Sequence, residues 1–372
     1  MKLNNNQQAF LELVRAGLWE KDACLLPYGN IDFKEIYRLA QEQAVIGHVA
    51  AGFEHVKDVK IPQELALTIA SEVLQLEQRN TSMNYFIGEL VDKMREADIY
   101  ALLIKGQGVA QCYERPLWRA CGDIDFYLNE DNFQKVKHFF KPLVSSFDPD
   151  NEYTRHINMH YDPWIVEIHG NQYCSLSLRI NRVLDEIHLD LFERGQVRLW
   201  DNQGTTVTLP SSDNDILIVF THFLNHFYRG GSGIRQICDW CRLLWTFRDF
   251  LDRQVLEKRL RKMGVVSIWK AFATLAVDYL GMPEESMPLY ENSLRWKRKA
   301  DRIMAFLLEV GNFGHNRDTS YYANNKLIQR KCISFHRRLR DVIHHMAIFP
   351  YQSLRFMIGQ TYYGLKAFVQ GG

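Results

Sequence analysis

Cysteine is sparse in this chain. Seven residues in 372, an odd number scattered along the length, argue against a disulfide framework and for reduced thiols. Net charge is nearly absent too. Lys and Arg total 45 against 44 Asp and Glu, a formal charge of +1, so no whole-molecule field exists to grip a polyanion and long nucleic acid is not an expected partner. No run approaches the roughly 18 uncharged apolar residues that a membrane span needs. The opening MKLNNNQQAFLELVRAGLWEKD lacks the apolar core of a signal peptide, and a cytoplasmic location is expected. Phosphate-loop templates are missing as well: KGQG at 105–108 fits neither GxxxxGKS/T nor GxGxxG. Internal repeats and low-complexity tracts are absent. Cys238 and Cys241 form a CxxC, but RQICDWCRLLWTF has helical periodicity and no second pair follows at finger spacing, so packed helix thiols are expected rather than zinc.

What is present is an ordinary globular composition, 47% apolar and 24% charged, with length enough for two or three domains. Apolar residues recur at helical spacing from about 7 to 85, and NYFIGELVDKMREADI continues as helix. The texture then changes. YALLIKG reads as a buried strand ended by glycine, QGVAQCYE as one or two helical turns, CGDIDFYLN as a second strand and EDNFQKVKHFFKPL as an amphipathic helix. RHINMHYD and WIVEIHG are two more strands with a turn at Asp162-Pro163, which pairs them as a hairpin, and TTVTLP is a last short strand. From SSDNDILIVFTHFLNHF onward the pattern is helical nearly to the end. The expected fold class is α+β: a small mixed sheet flanked by helical regions, divided as 1–80, 81–210 and 211–372. The element order is not the regular alternation of a Rossmann sheet.

Chemistry concentrates in CGDIDFYLN. Asp123 and Asp125 lie two apart, so on a strand both carboxylates share a face while Ile124 and Phe126 take the other. Two like charges about 4 Å apart repel by about 4 kcal/mol at an effective dielectric near 20, so the pair wants a cation, a proton or an arginine. A third acid interrupts WIVEIHG: alternation sends Val166 and Ile168 to the core and leaves Glu167 and His169 on the opposite face. An acid inside an apolar strand is costly unless paired or bound to a cation. Arg119 or Arg155 is the available ion-pair partner for Glu167; as a metal site, three hard oxygen donors suit Mg²⁺ or Mn²⁺ better than zinc.

These segments resemble a known superfamily. LLIKG, then Arg-x-x-GDIDFYL, then VEIHG is similar to the polymerase-β-type nucleotidyltransferases, in which a glycine motif opening a short helix precedes an Asp-x-Asp strand and a third acid lies on a later strand. More narrowly, IKGQGVAQCY, WRACGDIDFYL, VEIHG and THFLNHFYRGGSGIRQICDW resemble the bacterial family known as the uncharacterised nucleotidyltransferases, over roughly residues 35 to 345. The resemblance implies that Asp123 and Asp125 hold two divalent ions and that Glu167 completes the site near the ion activating an attacking hydroxyl, with pyrophosphate leaving. It further implies that Gly106 lets the triphosphate approach a helix N-terminus, that Lys105 and Arg119 neutralise phosphate oxygens, and that Gly122 belongs to the nucleotide site. The superfamily usually has glycine-serine where this chain has Lys105-Gly106; the narrower family shares the lysine.

The reading expected is Mg²⁺-dependent transfer of a nucleoside monophosphate, AMP foremost, from an NTP to a small-molecule or protein acceptor. A nucleotide sensor without turnover and a metal-dependent phosphohydrolase are the alternatives. His169 divides between a structural imidazole and a catalytic role. Arg235 and Asp239, four apart, are read as a helix-surface ion pair, and the resemblance puts them beside the cleft. His222 and His226 share a helix face, but Phe223 stands where a metalloprotease needs glutamate. The basic segment RKCISFHRRLR at 330–340 is read as a solvated helix face.

Overall fold

Period-two alternation in the middle of the chain builds a small sheet, and helical periodicity on both sides builds the layers that cover it. The computed structural model describes residues 3–144, 146–147, 155–314, 316 and 327–369. Helices α1 (Asn5–Trp19), α2 (Phe33–Glu42) and α3 (Ile46–Glu54) come first. Asn4 caps α1 in a capping box with Gln7, and Asp32 caps α2. Helices α1 and α3 cross where Gly17 meets the His48 carbonyl and Gly52 meets the Leu13 carbonyl; a Cβ at either glycine would overlap backbone. Helix α4 (Gln63–Glu96) follows as one unbroken rod of 34 residues, which carries the chain from the first helices to the sheet.

The main sheet has the order β1 (Leu102–Ile104), β2 (Ile124–Tyr127), β5 (Trp164–His169), β4 (His156–Tyr161), β3 (Ser146–Phe147). Strand β1 runs antiparallel to β2, β2 parallel to β5, and β5 antiparallel to β4, so the sheet is mixed as expected. The hairpin turns at Asp162-Pro163, with Tyr161 opposite Trp164. On the back face Leu103, Ile124, Phe126, Ile157, Met159, Val166 and Ile168 pack with Met83, Phe86, Ile87 and Leu90 of α4 and with Phe133, Val136 and Phe140 of α6 (Glu130–Phe140). That buried back leaves the acids on the front.

Beyond β5 come α7 (Leu178–Phe192) and a second hairpin, β6 (Val197–Asn202) with β7 (Thr205–Pro210). TTVTLP is thus a strand, but its partner VRLWDN was not legible: it is largely half-buried and carries Arg198 and Asp201, so no apolar run marks it. The C-terminal layer is α8 (Ser212–Arg229), α9 (Ile234–Thr246), α10 (Arg253–Met263), α11 (Val266–Leu280), α12 (Leu294–Val310) and two last helices, Leu327–Ile348 and Pro350–Val369. Phe220, Phe223, Trp240 and Trp269 form an aromatic knot at its centre. Cys238 and Cys241 are fully buried free thiols in α9, the packing role expected of them. In the basic segment Arg340 pairs with Glu309, and Arg337 is described; the side chains of Arg330, Lys331 and Arg338 lie outside the described residues. Among the described residues no helix is long and apolar enough to cross a membrane.

Candidate active site

The front face of the sheet and helices α8 and α9 enclose a cleft of about 230 Å³ lined by Lys105, Gly106, Arg119, Gly122, Asp123, Asp125, Glu167, Arg235 and Asp239, among others. Register explains the acids. In the parallel β2–β5 pairing Asp125 lies directly across from Glu167 and Tyr127 across from His169, so one face of two neighbouring strands carries both carboxylates. Asp123 sits just before β2, exposed to the cleft. Lys105 ends β1 and opens α5 (Gly106–Ala110). Lys105 and Gly106 both have positive φ, 55° and 42°, conformations easy for glycine and strained for lysine. That turn brings the lysine back over the sheet. Helix α5 has only five residues, so its macrodipole adds little and anion binding there would rest on local N–H groups.

Asp125 is the hub. Its Oδ1 accepts from Lys105 Nζ at 2.6 Å and lies 2.7 Å from His169 Nε2. Burial works against its charge, but the ammonium and the imidazole outweigh it and hold the carboxyl well below the usual carboxylate range. Burial likewise opposes the Lys105 charge, yet Asp125, with Glu167 and Asp123 behind it, raises that ammonium. His169 is lowered, chiefly by burial. Asp123 goes the other way: its side chain reaches solvent through the cleft, but the protein walls around it remove part of its hydration, and this, then the charges of Asp125 and Glu167, push it up to about 6. Two carboxylates two residues apart are thereby split into a committed anion and one that titrates near neutrality.

One expected ion pair is overturned, and the arginine ion-pair alternative for Glu167 is not what the structure shows. Asp239 does not pair with Arg235 on a helix surface; it is buried and takes a bidentate pair from Arg119, Nε to Oδ1 at 2.8 Å and Nη2 to Oδ2 at 2.7 Å. The Tyr113 hydroxyl donates to the same Oδ1 at 2.8 Å. Burial disfavours both charges, but each holds the other, raising Arg119 and lowering Asp239. Arg119 thus lines the cleft with its guanidinium already committed. Arg235, one helical turn from Asp239, donates instead to the Ala120 carbonyl at 2.5 Å, and its buried Nε has no hydrogen-bond partner. Among the described residues it makes no ion pair, so it is the cation the cleft keeps uncommitted. Glu167 pairs with neither Arg119 nor Arg155, the latter being engaged with Glu130; its neighbour is His156, with Oε2 and Nε2 at 3.1 Å.

A second lobe of about 240 Å³ adjoins the first, sharing Lys105, Glu167, His222 and His226 and adding His156, His169, Asn171, Gln172, Tyr173 and Asn225. His222 and His226 form an edge-to-face pair over the cleft, with Lys105 Nζ 3.5 Å from His222 Nδ1. Burial first, then the Lys105 charge, lowers both, His226 to about 4, so both imidazoles are neutral at pH 7. His156 and Gln236 escaped the sequence reading. A signal existed for His156: folding the hairpin about Asp162-Pro163 sets it opposite His169. Among the described residues, His156, Glu167 and His169 are the one group of three metal-ligating side chains whose ligand atoms all lie within 4.8 Å of one another.

Gly106 requires its glycine for its φ and for the nearby Cys121 sulfur. Gly122 requires none for packing, because a Cβ there would meet nothing within 4 Å. The short glycine-led helix, the Asp-x-Asp strand after it and the third acid on the neighbouring strand fit the polymerase-β-type superfamily. No match to this chain is found among curated proteins or among solved structures. The family model described as uncharacterised nucleotidyltransferase matches residues 29–281, a stretch that contains every residue of the cleft, and the chain belongs to that family.

Proposed function

We propose that the protein transfers a nucleoside monophosphate, with AMP the expected group, from a triphosphate to a hydroxyl acceptor and releases pyrophosphate. The observation that carries this reading is that Asp123, Asp125 and Glu167 share one cleft with Lys105 and Arg235, anions and cations facing the same space. The oxygen donor set suits Mg²⁺ or Mn²⁺, and Asp123, exposed and without a side-chain partner among the described residues, is the readiest donor. Asp123, Asp125 and Glu167 would hold two such ions, which when bound stabilise charge on the entering and leaving oxygens of an in-line displacement at phosphorus.

The chain's own groups do the rest. Arg235 and Lys105 would neutralise phosphate oxygens, and the open space beside Gly122 admits close backbone approach. Asp239 acts through Arg119, holding the loop that leads into β2. The second lobe would receive the acceptor, its amides suiting a hydroxyl-bearing metabolite, a sugar derivative or a protein side chain. Glu167 stands where the lobes meet. Pyrophosphate release from each triphosphate with Mg²⁺, using cell-extract fractions as acceptors, tests the proposal; release no greater than that of an Asp123→Ala/Asp125→Ala double variant would overturn it. One observation favours nucleotide sensing instead: Asp125 is already engaged by Lys105 and His169. Calorimetry showing tight Mg²⁺-nucleotide binding without any product would select that reading. Release of phosphate or a nucleoside monophosphate into water would mark a phosphohydrolase.

A further inference from the structure

We propose that His156, Glu167 and His169 form a binding site for a first-row transition-metal dication of the zinc class, which shares Glu167 with the all-oxygen set above but adds two imidazoles to it. The three side chains come from adjacent antiparallel strands. Strands β4 and β5 pair His156 with His169, and Glu167, two residues back along β5, projects from the same face. Glu167 Oε2 lies 3.1 Å from His156 Nε2 and 3.6 Å from His169 Nε2. Ligands about 2.0–2.1 Å from a tetrahedral ion sit about 3.4 Å apart, so modest side-chain adjustments close the shell. The two rings stack with centroids 4.7 Å apart and planes inclined by 28°, which turns both toward one carboxylate oxygen.

The donor set decides the metal. Two imidazoles and a carboxylate suit zinc and its neighbours, whereas Mg²⁺ prefers oxygen and keeps its water. An ion pair between His156 and Glu167 would need one imidazole; a second closes on the same oxygen. His169 Nε2 now lies 2.7 Å from Asp125 Oδ1, and a cation at the triad takes that nitrogen while Asp125 keeps Lys105. Three protein ligands leave a fourth position for water or a ligand. The triad borders the second lobe, where Gln172 Nε2 and Asn225 Oδ1 are buried with no hydrogen-bond partner, a donor and an acceptor suited to a molecule held there.

The test uses the untagged full chain, stripped with a chelator and titrated with zinc chloride by calorimetry in excess Mg²⁺ without nucleotide. Co²⁺ substitution supplies a visible absorption band as a second readout. The expected result is one Zn²⁺ per chain, with His156→Ala weakening it at least about tenfold and circular dichroism confirming that the variant folds. Absence of Zn²⁺ and Co²⁺ binding, or binding that His156→Ala and His169→Ala leave unchanged, would overturn the proposal. With no nucleotide present the result is separable from the pyrophosphate assay: transfer without zinc sinks only this inference, and zinc without transfer sinks only the other.

Discussion

Removing Arg119 should destabilise the fold rather than weaken the grip on nucleotide. Its pair with Asp239 joins the loop before β2 to helix α9 across 120 residues of sequence, with side chains only 4% and 6% exposed. In Arg119→Met, Asp239 keeps one hydrogen bond, from Tyr113, and loses two charge-assisted ones. Breaking a buried pair from one side costs about 3–5 kcal/mol, because the remaining charge stays buried and uncompensated. Protonation limits that cost. Without the guanidinium, burial lifts the Asp239 carboxyl above its unfolded value, so the penalty grows as pH rises above about 4. Urea denaturation at pH 5 and pH 8 should therefore show a larger loss at pH 8. The double variant Arg119→Met/Asp239→Leu should recover most of the loss and show little dependence on pH. A loss under about 1 kcal/mol, flat with pH and accompanied by weaker triphosphate binding, would refute this reasoning and make Arg119 a phosphate ligand after all.

Four further outcomes are expected. With Asp123 at about 6, its carboxylate is about nine-tenths ionised at pH 7 and about one-tenth at pH 5; calorimetric divalent-ion affinity should fall about tenfold as pH drops from 7 to 5, and Asp123→Asn should abolish the dependence. Because this carboxyl is raised on folding, the folded chain holds its proton to higher pH than the unfolded chain, and Asp123→Asn should raise the melting temperature at pH 7 to 8 but not at pH 4. Gly52→Ala drives a Cβ into the Leu13 carbonyl, so α1 and α3 must separate, and denaturation should show a loss of about 1–3 kcal/mol or more. Gly122→Ala has open space around it and should leave the melting temperature unchanged; a triphosphate affinity lowered at least about tenfold in a titration would mark close backbone approach there, and an unchanged affinity would remove Gly122 from the nucleotide site.

The sequence by itself determined what is local. Strand alternation over CGDIDFYLN and WIVEIHG already separated Ile124, Phe126, Val166 and Ile168 from Asp125 and Glu167, because period two depends on backbone geometry alone. Helical periodicity likewise sufficed for α8 and α9 and for burying Cys238 and Cys241. Only the tertiary structure decided partnership. Arg235 and Asp239 are equally close along α9, yet the helix turns the acid inward onto Arg119 and Tyr113 and leaves the arginine for the cleft. His156 became a neighbour of Glu167 through hairpin register, and β6 became a strand through its partner rather than its own composition. The physical reason is one throughout: a residue's periodicity says which way it faces, but the stability of a buried charge depends on what faces it, and for Asp239 that is an arginine 120 residues away.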